Sequence, residues 1–66
     1  MVSEQARTIG HKLRATRLER HMSQEEVADE LGVPRRSYVA YEGGKNLPRP
    51  KRLRQLLAYL KQHGHE

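Results

Sequence analysis

The apolar positions of this chain recur at helical spacing in four stretches, and nowhere do they alternate as a half-buried strand would require. In the first, residues 5–20, Ile9, Leu13, Thr16 and Leu18 make an imperfect stripe, with Arg7, Lys12, Arg14 and Arg20 elsewhere on the helix. Ser3 stands at N-cap spacing. His21 stands where the chain must leave the helix with a positive φ, which histidine tolerates better than most residues. The second stretch opens with Ser23 and Glu26 at capping-box spacing, with Met22 placed to pack on Val27. Val27, Ala28 and Leu31 form its inner side, and Gly32 predicts a left-handed cap. The third runs from about Pro34 to Tyr41, with Tyr38 and Tyr41 on its core face and Gly43-Gly44 as its stop. After a basic loop over residues 45–49, Pro50 opens the fourth helix, whose stripe is Leu53, Leu56, Leu57 and Leu60. Tyr59 is expected to be partly exposed on it, and the tail from Gln62 to be frayed. The pattern predicts an all-α fold in a single domain over residues 1–66.

The second and third helices carry the most specific signal. Two short helices meeting near a right angle need a positive-φ turn residue, a small side chain at the crossing and apolar groups on the facing sides. Gly32, Ala28 and the set Val27, Leu31, Val33, Tyr38 and Tyr41 supply all three within residues 24–42, so this segment is predicted to be a helix-turn-helix.

Size and charge sharpen the picture. With 66 residues and no cysteine, the chain has neither a large core nor a disulfide or thiolate-metal staple to hold it. No run approaches the ~18 apolar residues of a membrane span. The first 20 residues carry Glu4, Arg7, His11, Lys12, Arg14 and Arg17 in place of a signal-peptide core, so a cytoplasmic location is expected. The net charge is +5, and seven of the thirteen basic residues fall between Arg35 and Arg54 against one acid, Glu42. Helix 2 is acidic, with Glu25, Glu26, Asp29 and Glu30. One positive and one negative face follow, which favours a polyanionic partner. The histidines offer no third ligand beside His63 and His65, so no metal or other cofactor is expected. No nucleophile-base set or phosphate-cradling loop suggests an enzyme.

Ile9-Gly10 with Leu13-Arg14 and Arg17, then Met22 to Ala28, Leu31-Gly32-Val33, Tyr41-Glu42, Gly44-Lys45, Pro48, Leu53, Leu56 and Leu57 together resemble the Cro/C1-type domain of the lambdoid phage repressors and similar bacterial regulators. The resemblance covers about residues 7–60 and implies a four- to five-helix lambda-repressor-like fold that reads the DNA major groove with helix 3. It implies base reading by Arg35 and Arg36 at the start of that helix, where an arginine can donate two parallel bonds to guanine, and by Ala40 one turn on, where only a thymine methyl can be touched. It implies phosphate contact by Gln24, at the N-terminus of helix 2, a place that suits a phosphate in any case. Lys45, Asn46 and Arg49 are expected to add phosphate contacts from the following loop, and Arg17 and Glu42 to form a structural ion pair between helices 1 and 3. Pro34, Thr16 and His21 depart from the family's usual residues. The chain leaves almost no room for the fifth helix that often builds a dimer.

The expected function is sequence-specific binding of double-stranded DNA, as a transcription regulator and most simply a repressor on a palindromic operator. The expected homodimer is weak or DNA-dependent, with Tyr59 as its anchor and the loop around Leu47 as a second contact. Two alternatives stay open: an antitoxin of a toxin–antitoxin pair, or a protein-interaction module on the same fold.

Overall fold

Ser3 begins the first helix by accepting a hydrogen bond from the Ala6 amide at 3.0 Å. A computed structural model describes residues 3–65, which form α1 (Glu4–Glu19), α2 (Gln24–Leu31), α3 (Arg35–Glu42) and α4 (Pro50–Gln62). Each boundary has a local cause. His21 takes φ 56° after α1. At α2 the reciprocal capping box is closed, with Glu26 N–H donating to the Ser23 hydroxyl and Ser23 N–H to the Glu26 carboxylate. Gly32 ends α2 at φ 71°. Pro34 serves as the N-cap of α3, just before its first turn, and Pro50 starts α4.

The core gathers Ile9 and Leu13 of α1, Val27, Ala28 and Leu31 of α2, Val33 of the turn, Tyr38 of α3, and Leu56, Tyr59 and Leu60 of α4. Met22, Tyr41 and Leu53 pack against its edge, so Tyr41 is a border residue where a full core position was expected. α1 packs on both α3 and α4, and α3 packs on α2. The closest approach is at Gly10, where a β-carbon would lie 2.6 Å from the Glu42 carbonyl oxygen and 2.7 Å from that of Tyr41. Only a glycine lets α1 press onto the C-terminal end of α3 this tightly.

Three expectations change. Leu18 was placed on the inner stripe of α1 but is 52% exposed, whereas Thr16 is buried, its hydroxyl donating to the Lys12 carbonyl at 2.7 Å. Leu57 was placed on the inner stripe of α4 but is 42% exposed, whereas Tyr59 is only 5% exposed. Tyr59 is therefore part of the core and unavailable as a dimer anchor. At about 100° per residue, Leu53 and Tyr59 lie about 60° either side of Leu56, while Leu57 lies about 100° away and off the buried arc. The third concerns the tail expected to fray from Gln62. Gln62 is the last helical residue, and beyond it His65 N–H donates to the Leu60 carbonyl at 2.7 Å while the His65 ring meets the Glu19 carboxylate at 2.5 Å.

Candidate nucleic-acid interface

The two ends of α3 are built differently. Its C-terminal end is tied down. Arg17 of α1 grips Glu42 with two parallel bonds, Nε to Oε2 at 2.7 Å and Nη2 to Oε1 at 3.0 Å, and its Nη1 donates to the Met22 carbonyl at 3.1 Å. The Gln24 amide, from the first residue of α2, donates to Glu42 Oε1 at 3.3 Å. Burial pushes the Glu42 carboxyl up, but the bonds from Arg17, with help from Tyr38 and Gln24, outweigh it and hold it below its usual range. The Glu42 bond in turn raises Arg17. The Tyr38 hydroxyl is buried without a well-formed hydrogen bond. Burial first, and the Glu42 charge second, push that phenol far above its usual range, so it stays neutral.

The N-terminal end of α3 is open. Pro34 provides no side-chain cap, and the first turn carries no acid. Arg35 and Arg36 are its first two residues, and both are exposed. Among the described residues neither forms an ion pair. Arg35 and Gln24 line one polar groove together with Arg14, Arg17 and Glu42. Ala40 lies half-buried further along α3. Lys45 and Asn46 are exposed in the loop beyond Gly44, which takes φ 70°, and Arg49 is the exposed N-cap of α4. The fold therefore brings Arg35 and Gln24 to one groove. The loop residues stand at the other end of α3.

Gln24 thus steadies a side chain of α3 itself, Glu42. The sequence reading missed a second cluster, which joins the end of α1 to α2 and α4. There Arg20 forms a two-bond pair with Glu30 at 2.9 and 3.0 Å and donates to the Tyr59 hydroxyl at 2.7 Å. The Glu30 bond, then the Tyr59 bond, raise Arg20, and the same pairing lowers Glu30. The His63 ring packs on Tyr59 at a centroid distance of 4.7 Å. These contacts join residues up to 39 positions apart, and no local pattern announces them.

A family described as helix-turn-helix matches residues 13–64. The cryptic phage CTXphi transcriptional repressor RstR of Vibrio cholerae is 40% identical over 48 residues, which is 73% of this chain and 43% of that protein. The chain thus spans less than half the length of this curated relative. No solved structure matches. No helix among the described residues is long and apolar enough to cross a membrane. The closed capping box, the Gly32 turn and the match over most of the chain agree, and the chain belongs to the helix-turn-helix family of Cro/C1-type DNA-binding domains.

Proposed function

We propose that this domain is the DNA-reading part of a transcriptional repressor, acting in the cytoplasm on a palindromic operator. The observation that carries the reading is the pair of exposed arginines, without an ion-pair partner among the described residues, at the open end of α3, on a helix whose other end is tied down by Arg17, Gln24 and Glu42. Arg35 and Arg36 read bases, with Ala40 against a thymine methyl. Lys45, Asn46 and Arg49 hold phosphates, and the free amides at the start of α2 join Gln24 in doing so. The relative's role as a repressor supports regulation as the outcome. Binding is as a pair. Two copies on half-sites about 34–36 Å apart reach successive major grooves. With Tyr59 buried, the exposed large apolar side chains among the described residues are Leu18, Val39, Leu47 and Leu57, of which Leu47 and Leu57 lie away from α3 and from the groove that Leu18 lines. A contact of this kind should stay below about 1,200 Å², the range of weak association.

Binding-site selection from random duplexes, followed by affinity measurements on the selected and a scrambled duplex, tests the reading. Arg35→Ala or Arg36→Ala should cost ~1–3 kcal/mol on the selected site and relax preference at one base pair. Lys45→Ala should weaken both duplexes alike and lower the salt slope by about one. Equal losses on both duplexes for the two arginine variants would refute base reading by them. Affinity for DNA insensitive to salt would refute the phosphate contacts. Sedimentation with and without the selected duplex tests the pairing, and a tight dimer without DNA would contradict it.

A further inference from the structure

Two open grooves lie side by side along one edge of α1 and share Arg14 and Glu42. One reaches Gln24 and Arg35. The other runs past His11 and Arg7 to Gly43. Arg7 is held close to the loop: a β-carbon on Gly44 would come within 3.0 Å of the Arg7 α-carbon, so the backbone of α1 abuts the turn that leads into Lys45. A single edge therefore runs from the Gly44-Lys45 turn, across Arg7 and Arg14, to Gln24 and Arg35.

The charge on this edge is positive once internal pairs are removed. Glu42 is neutralised by Arg17. That leaves Arg7, Arg14 and Arg35 against Glu25 among the groove residues. Arg7 and Arg14 are exposed, and among the described residues neither has a carboxylate within ion-pair distance. An exposed arginine without an ion-pair partner is suited to bidentate bonds with a phosphate, and Arg14 in addition lines the polar groove. Seven residues of helix separate the two, about 10 Å along the axis. That is a reach of about three nucleotides on one strand of a duplex, at 3.4 Å each.

We infer that Arg14 and Arg7 carry the DNA contact from the reading helix onto α1, each on a backbone phosphate and neither on a base. The inference rests on the reading that α3 enters the groove with Gln24 and Lys45 on its flanks. It makes α1 a phosphate clamp as well as the support of α3.

The test is affinity of the purified chain for its selected duplex and for a scrambled one, by fluorescence anisotropy between 50 and 200 mM salt. Each neutralised arginine should flatten the slope of log affinity against log salt by about 0.9. Arg14→Gln should therefore bind worst relative to wild type at low salt, with the gap narrowing about 3.5-fold over that range, and Arg7→Gln/Arg14→Gln should flatten the slope by about 1.8. Arg14→Lys should keep the slope. The ratio of selected to scrambled affinity should not move. An unchanged slope for Arg14→Gln alongside a flattened one for Lys45→Ala overturns the α1 contact and leaves the reading of α3 standing. A change in the ratio overturns the assignment to phosphate. If Lys45→Ala and Arg35→Ala are also silent, the DNA face lies elsewhere and both readings fall. All these side chains are exposed, and unchanged helical circular dichroism shows that each variant is folded.

Discussion

Glu42→Gln removes the charge that Arg17 and Gln24 converge on, and its cost can be worked from the geometry. Breaking one partner out of a buried ion pair costs about 3–5 kcal/mol, because the other charge is left behind. Here the Arg17 and Glu42 side chains keep 14% and 5% of their exposure, and Arg17 retains its bond to the Met22 carbonyl. That places the expected loss lower, at about 2–4 kcal/mol. A domain of this size holds roughly 3–10 kcal/mol in total, at about 0.05–0.15 per residue, so the variant should sit near the edge of folding. Urea unfolding of wild type, Arg17→Met, Glu42→Gln and the double variant measures the coupling. The double variant should be more stable than the sum of the single losses predicts, by about 1–3 kcal/mol. A coupling below about 0.5 kcal/mol, typical of an exposed pair, would refute the account. The pH dependence gives a second check. Glu42 is held below its ordinary value of 4.5 in the folded state, so its contribution is complete above that pH and is lost as pH falls through the lower folded value. Glu30 is lowered as well and acts with the same sign. Glu42→Gln should therefore remove part, not all, of the acid sensitivity below about pH 4.5.

Gly10→Ala should destabilise the domain by about 1–3 kcal/mol or more, because the new carbon meets two backbone carbonyl oxygens that cannot swing aside; a thermal melt within a degree of wild type would contradict the close crossing. Leu56→Ala, at a fully buried position, should cost about 2–5 kcal/mol, whereas Leu57→Ala should stay within about 0.5 kcal/mol; equal losses in chemical denaturation would reverse the assignment of the α4 faces.

Features governed by neighbouring residues were legible in the sequence. Ser3, Ser23 with Glu26, His21 and Gly32 act through backbone groups a few positions away, and each does in the fold what its type and spacing imply. Which side of a helix is buried was harder. Leu57 and Leu18 are apolar and near the stripe, yet the buried arcs are centred elsewhere and include Thr16 and Tyr59. A strict wheel would have moved Leu57 outward. Thr16 lies on the stripe as its spacing implies, and its hydroxyl becomes buriable by bonding within its own helix. The Arg17–Glu42 pair came from resemblance, not from spacing, since 25 residues separate the two. The Arg20–Glu30–Tyr59 cluster had no such guide. The Gln24 amide that was assigned to phosphate is bonded to Glu42.

The open end of α3 also bears on why arginines stand there at all. Cations in the first turn of a helix oppose the positive end of its dipole, by about 0.3–1 kcal/mol each. α3 has two, no acid in that turn and no side-chain cap. Such an arrangement weakens a domain with little stability to spare, and it makes sense if the same exposed N–H groups and guanidiniums face an anion. Arg36 isolates the effect, since it is exposed and does not line the polar groove with Arg35. Arg36→Glu should therefore raise the urea midpoint, with a gain of about 0.3–1 kcal/mol, while abolishing binding to the selected duplex. The two readouts move in opposite directions, so a general loss of structure cannot imitate the result. A variant that is less stable than wild type would show that Arg36 supports the fold. One that is more stable but binds DNA as tightly would remove α3 from the DNA face.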